Sequence, residues 1–240
     1  MLKVFKNEQL AAEEIVREML AGLTVKNPVF CLASGSTPAK AYGLFANNVE
    51  KSMLQKLKVI SLDEWANIEP SNVGSCYQML NLDLFQKADL SPEQITFYNG
   101  MASDLEAECQ RIDHFIKDHP ITFSLMGVGM NGHIGLNEPG CPLLNKSSVV
   151  TLSDTTKEVA QKYFAKETPL EQGMTLGLKQ IINSERMIVV ITGEHKADIV
   201  KKIFTAIDVR LPAQELLGYE HIDFYLDEAA AKYLGKESGD

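Results

Sequence analysis

The chain has 240 residues, of which 45% are hydrophobic and 23% charged, and a formal net charge of −9. Those proportions belong to a globular protein with a sizeable core, built as one large α/β domain or two small ones. An acidic chain without a basic block argues against nucleic acid and against an anionic membrane surface as partners. An anionic ligand would need its binding groups concentrated locally, against the overall field.

The opening stretch, MLKVFKNEQLAAEE, places charges where the apolar centre of a secretory signal would sit, so no leader is expected. In Ala12–Leu23 the residues Ala12, Ile15, Val16, Met19 and Leu23 recur at helical spacing and predict an amphipathic helix. Val29–Ala33 is the first predicted strand, Cys31 within it reads as a buried free thiol, and SGSTP follows. Lys58–Leu62 is the second, followed by DEW. Ser91, Pro92 and Gln94 supply a helix N-cap, a proline for the first helical position and a capping-box partner. Phe123–Gly127 predicts a third strand, which runs into VGMNGHIGLNEPG. Thr156–Phe164 reads as a helix. Met187–Thr192 predicts a fourth strand, leading through GEHK into a helix over Glu194–Phe204. Asp223–Leu226 is the last predicted strand, and the terminal KESGD reads as a frayed tail.

Near-continuous apolar strands alternating with helices predict an α/β fold with a mostly parallel sheet. No internal repeat, low-complexity stretch or Pro/Gly/Ser linker divides the chain, so residues 1–240 read as a single domain. No apolar run approaches the ~20 residues that a membrane helix needs. The four cysteines, at 31, 76, 109 and 141, form no CxxC, and no His pair has zinc spacing. Together these features fit a reducing, cytoplasmic location and offer no metal constellation. The pattern does not discriminate a monomer from a homo-oligomer.

Ligands of open parallel sheets bind beyond the carboxyl ends of the strands, so the segments that follow strands matter most. In SGSTP, Gly35 permits a tight turn, Ser34, Ser36 and Thr37 offer hydroxyls, and Pro38 suits a first helical turn. Free N–H groups there would favour a phosphate, although an ordinary N-cap turn reads the same way. The segment is neither a Walker loop nor GxGxxG, so no nucleotide cofactor is indicated. In SLDEW, Asp63 or Glu64 could serve as a general base; a helix cap or a solvated acidic turn is the plainer alternative. Trp65, the only tryptophan, is expected in the core. In MNGHIGLNEPG, His133 could move protons and Glu138 could orient it, with glycines supplying the turns. Lys196 in GEHK starts a helix, where the dipole disfavours a cation, which suggests service to an anion. Lys162 is a weaker candidate of the same kind.

Taken together, SGSTP, LDE and GxGxxGHIGLNEPG resemble the glucosamine-6-phosphate deaminase and galactosamine-6-phosphate isomerase family, from about Ala33 to about Lys201. The resemblance implies a Rossmann-like three-layer sandwich that binds no NAD and uses no cofactor. It implies conversion of a 2-amino-2-deoxyhexose 6-phosphate and water into a ketohexose 6-phosphate and ammonia. Ser34, Gly35, Ser36 and Thr37 would form the phosphate loop, with Lys196 and, where many members carry Arg, Lys162. Asp63 would carry a proton from C2 to C1, His133 would open the pyranose, and Glu138 would hold His133. Asn131 stands where many members have Asp; it removes a negative charge near His133 and should shift the pH profile. LDEW, GSCYQML and MTLGLKQIINSE resemble the galactosamine-6-phosphate branch more than the glucosamine one.

Two other readings compete. A 6-phosphogluconolactonase shares the fold and a Gly-His loop, but typically lacks the NEPG that follows here. A sugar-phosphate-sensing domain of a transcription regulator would need a DNA-binding segment, and no basic helix-turn-helix precedes the core.

Overall fold

A computed structural model describes residues 1–207 and 210–235. The expected frayed tail, KESGD, lies outside the described residues. The chain opens with strand β1 (Leu2–Phe5) and helix α1 (Glu8–Gly22), whose first turn is capped by the Asn7 side chain. Then come β2 (Val29–Leu32), α2 (Ser36–Asn48), β3 (Lys58–Ser61), β4 (Asp63–Trp65) and α3 (Cys76–Leu80). A π-helical turn at Asn81–Phe85 joins α3 to α4 (Gln86–Ala88). Next are β5 (Ile95–Thr96), α5 (Leu105–Asp118), β6 (Phe123–Gly127), β7 (Ser148–Thr151) and α6 (Asp154–Ala160). The last are β8 (Gln172–Thr175), α7 (Leu178–Ile182), β9 (Arg186–Ile191), α8 (Ala197–Thr205) and β10 (Ile222–Asp227).

Seven strands make one sheet in the order β1-β10-β9-β6-β2-β3-β5, with every neighbouring pair parallel. Strand alternation sorts its side chains onto two faces. Val29 and Cys31 of β2 pack with Ile112 of α5, Ile181 of α7 and Val200 of α8. Phe30 and Leu32 pack on the other face with Ile15 of α1 and Phe45 of α2. Helices therefore cover both faces, which is the expected three-layer α/β sandwich. All five strands expected from apolar runs are present, their ends within one residue of expectation.

Several elements differ from expectation. Strands β1, β4, β5, β7 and β8 are each two to four residues long, too short for an alternating pattern to register. The capping box at Ser91 forms, with Ser91 N donating to Gln94 Oε1 at 3.0 Å. It caps only a single 3-10 turn, Pro92–Gln94, because the chain passes at once into β5. The helix expected over Thr156–Phe164 starts at Asp154, capped by Ser153, and ends in a 3-10 turn at Gln161–Tyr163.

The segment DEW is not a loop. It forms β4, the edge of a second, antiparallel sheet ordered β4-β8-β7. Adjacent strand residues point to opposite sides. Asp63 is partly exposed, whereas Glu64 is buried and 1% exposed. Glu64 Oε1 accepts from Trp65 N at 2.9 Å and Cys76 N at 3.0 Å; Oε2 accepts from Ser75 Oγ at 2.7 Å and Tyr77 N at 3.0 Å. Three of those donors lie at the start of α3, so the carboxylate ties β4 to a helix N-terminus, where the dipole favours it. The candidate base Glu64 is thus committed to structure, and Asp63 alone stays available. Trp65 is buried as expected and donates Nε1 to Gly74 O at 3.1 Å.

Removing a buried carboxylate that serves four donors leaves those donors unsatisfied. Glu64→Ala is expected to cost about 3–5 kcal/mol in urea unfolding. A loss below about 1 kcal/mol would show that Glu64 does not hold β4 to α3.

Candidate active site

In the sheet order, β2 and β6 are neighbours, but β2 connects onward to β3 on one side and β6 to β9 on the other. At such a switch point the loops diverge and leave a crevice beyond the strand ends. The crevice is lined by Ser34, Gly35, Ser36, Thr37, Asp63, His133, Lys162 and Lys196. Glu138 and Asn131 stand behind His133.

At one end, Gly35 has φ +103° and caps α2 without any side-chain hydrogen bond to the first turn. The left-handed backbone favours glycine, and the first-turn N–H groups remain available to an anion. Tyr42 OH donates to Ala33 O at 2.6 Å and anchors the strand end from which this loop departs. Lys196 follows Gly193, whose N donates to Asp227 Oδ1 at 3.0 Å. The Lys196 side chain is buried, and Nζ donates to Val128 O at 2.6 Å. Burial, then repulsion from Lys162, pulls the Lys196 ammonium down to about 8. Lys162 is exposed on the 3-10 turn after α6, its Nζ 4.9 Å from the Tyr163 ring centroid. Two cations thus converge on a helix N-terminus, an arrangement that favours a dianion.

Asp63 faces the crevice from β4. Burial pushes its carboxyl up to about 7; the charge of Glu64 adds to the rise, and a hydrogen bond from the Cys76 thiol opposes it. A carboxyl with that midpoint can take and return a proton near neutral pH.

His133 sits in the turn after β6, where Gly129 N donates to His133 O at 3.0 Å. The imidazole lies so close to Gly129 that a Cβ there would fall 2.3 Å from Nε2. Only glycine leaves room for the ring. Behind it, Glu138 Oε2 is 3.6 Å from His133 Nδ1, an ion-pair distance longer than a hydrogen bond. Asn131 Nδ2 donates to Glu138 Oε2 at 2.8 Å, and Asn131 Oδ1 accepts from His133 N at 3.2 Å. Asn131 therefore reaches Glu138 and the His133 backbone, with no hydrogen bond to the imidazole. Burial raises the Glu138 carboxyl, but His133, Thr156 and Asn131 outweigh it and bring it down to about 2. Asn137 is structural: its amide bonds Ile134 O and Leu176 O, each at 2.9 Å, and accepts from Leu178 N at 3.1 Å.

Sequence reasoning missed several site residues. Thr156 Oγ1 lies 3.2 Å from His133 Nδ1 and donates to Glu138 Oε1. Ser153, Tyr163 and His195 also border the site. Their only sequence signal was the polar start and end of a predicted helix, which fits an ordinary cap as well. Lys162, the weaker of the two lysine candidates, lines the crevice from the 3-10 turn that follows α6.

The profile of glucosamine-6-phosphate isomerases/6-phosphogluconolactonase matches residues 7–222. The chain belongs to that family. A glucosamine-6-phosphate deaminase of Lacticaseibacillus paracasei is 33% identical over 240 residues, covering 98% of this chain and 99% of the relative. One of Listeria monocytogenes is 33% identical over 206 residues, covering 85% and 86%. The solved structure of a monomeric glucosamine-6-phosphate deaminase superposes with a TM-score of 0.90 at 28% identity, covering 96% of this chain and 98% of that one. A 6-phosphogluconolactonase of Trypanosoma brucei shares the fold at a TM-score of 0.76 and 20% identity, covering 98% of each. The α/β sandwich expected from the sequence is therefore the family fold.

The raised Asp63 carboxyl carries a stability cost whose sign follows from proton uptake. Below about pH 4, Asp63 is neutral in both folded and unfolded chains. As pH rises from there to about 7, the unfolded chain ionises first, so the folded state loses stability. Above that the full cost persists. Asp63→Asn is expected to stabilise the protein by about 2–4 kcal/mol at pH 8, with a much smaller gain at pH 5. Urea midpoints at the two pH values check this; an equal gain at both would contradict the raised midpoint.

Proposed function

We propose that residues 1–240 act as one amino-sugar-6-phosphate deaminase domain. The reaction is aldose–ketose isomerisation with deamination, giving a ketohexose 6-phosphate and ammonia. The observation that carries this reading is the composition of one crevice: an end with two cations that form no salt bridge among the described residues, a carboxyl poised near neutrality and an imidazole backed by an ionised carboxylate. The deaminase relatives support the same reaction class.

The chemistry divides among those groups. The sugar phosphate is held by the N–H groups and hydroxyls of Ser34, Gly35, Ser36 and Thr37, with Lys196 and Lys162 supplying charge. Remote binding of the phosphate fixes C1 and C2 against the base. His133 takes the proton of the anomeric hydroxyl and delivers it to O5, so the C1–O5 bond breaks and a C1 carbonyl forms. Glu138 stabilises the transient imidazolium, and Asn131 holds Glu138. Asp63 removes the C2 proton while O1 takes one from water, giving an enolamine and hydroxide, which takes a proton back from nitrogen when the imine forms. Asp63 then returns its proton to C1, leaving an imine at C2. Water adds to that carbon, ammonia departs, and the ketose remains. A base with a midpoint near the working pH is efficient in both directions of this shuttle.

The favoured substrate is galactosamine 6-phosphate over glucosamine 6-phosphate. Trp65 and Cys76, which lie in the stretches resembling the galactosamine branch, both line the crevice. Crevice-lining side chains are suited to discriminating one hydroxyl configuration of a substrate.

The test is ammonia release from the two amino-sugar phosphates side by side, with acid release from 6-phosphogluconolactone as the control. Ammonia from at least one amino sugar is expected, with higher kcat/KM for the galactose epimer. Acid release without ammonia would replace this reading by a lactonase. Lys196→Ala is expected to raise KM about tenfold or more and change kcat by less than about threefold. An unchanged KM would remove Lys196 from the phosphate site.

A further inference from the structure

We infer that Thr156 is the direct partner of His133, and that a hydrogen-bond chain of fixed polarity sets which imidazole nitrogen faces the crevice. The kinetic part of this inference rests on the deaminase reading; the structural part does not.

The polarity follows from counting donors. Ser153, the N-cap of α6, accepts from Thr156 N at 3.2 Å and from Asn131 Nδ2 at 3.3 Å. Its hydroxyl proton is left to donate to Thr156 Oγ1, 3.1 Å away. Glu138 is ionised and can only accept. It takes a hydrogen bond from Asn131 Nδ2 on Oε2, and on Oε1 one from Thr156 Oγ1 and one from Ser153 N at 3.4 Å. A hydroxyl has a single proton and two acceptor sites. With that proton given to Glu138, Thr156 Oγ1 meets His133 Nδ1, at 3.2 Å, only as an acceptor. Nδ1 must therefore carry hydrogen. In the neutral ring the lone pair then lies on Nε2, away from Thr156 and Glu138, where a sugar hydroxyl can reach it. Glu138, 3.6 Å from Nδ1, acts on the ring through its charge and through Thr156.

This arrangement also gives Asn131 a role of its own. Both of its contacts beyond the backbone, to Glu138 Oε2 and Ser153 Oγ, are donated by Nδ2. A carboxylate at 131 has no proton for either. Asn131 and Ser153 orient the chain, Thr156 delivers the orientation to the imidazole, and all three are positioning residues.

The test uses the full protein with 15N-labelled histidine, as wild type, Thr156→Val and Thr156→Ser, together with steady-state ammonia release. In wild type and Thr156→Ser, neutral His133 is expected to show a protonated Nδ1 and a bare Nε2. In Thr156→Val the Nε2-protonated tautomer should appear, with kcat for the closed-ring substrate down about tenfold and KM within about twofold. Retention of the wild-type tautomer and kcat in Thr156→Val would overturn the inference, because Glu138 alone would then hold the ring. So would Thr156→Ser being as impaired as Thr156→Val, since the hydroxyl would not be the deciding group. If wild type released no ammonia from either amino-sugar phosphate, the deaminase reading would fall. The nitrogen spectra would still decide the role of Thr156.

Discussion

In β4 two carboxylates follow one another, and strand geometry sends them to opposite sides. Glu64 goes inward, where Ser75 and the backbone of Trp65, Cys76 and Tyr77 satisfy both its oxygens. Asp63 is left facing the crevice beside a buried anion. That pairing does two jobs at once. It ties the small antiparallel sheet to the N-terminus of α3, and it supplies part of the field that lifts Asp63 to about 7. The structural carboxylate and the one facing the crevice are thus coupled. Asp63 owes its raised midpoint first to burial and then to the charge of a neighbour that faces away from the crevice.

The rest of the crevice follows from parallel strands that all end on the same edge. The loop after β2 presents a helix N-terminus, the loop after β6 presents His133, and the turn after β9 presents Lys196. Their charges are sorted by position. Around Lys196 the local field is positive although the chain as a whole carries −9. Around His133 it is negative, set by Glu138, whose burial is offset by His133, Thr156 and Asn131. A phosphorylated sugar lying across the crevice would meet cations at one end and proton-transfer groups at the other.

The sequence made the buried strands legible because five apolar runs are long enough to stand out. It also made the crevice candidates legible, since Asp63, His133 and Lys196, which the fold brings to one crevice, each come after a buried strand of the main sheet. What stayed hidden depended on tertiary contact. Whether Asp63 or Glu64 was the free carboxylate turned on which faced α3, and adjacent positions in the sequence say nothing of that. Thr156 looked like any helix-start threonine until the fold set it against His133 and Glu138, respectively 23 and 18 residues away along the chain. Asn131 was expected to act on the imidazole by the charge it lacks; the contacts show it acting as a donor to Glu138 and Ser153. Strand β4 was hidden because three residues cannot display a period.

Proton transfer as proposed for the crevice depends most on the state of one carboxyl. Its most direct measurement is a 13C-detected NMR titration of Asp63 in the free protein, assigned with Asp63→Asn. A midpoint near 7, set by burial and by the charge of Glu64, is expected. A midpoint near the ordinary aspartate value of about 4 would contradict it, and the site would then lack a base tuned to neutral pH.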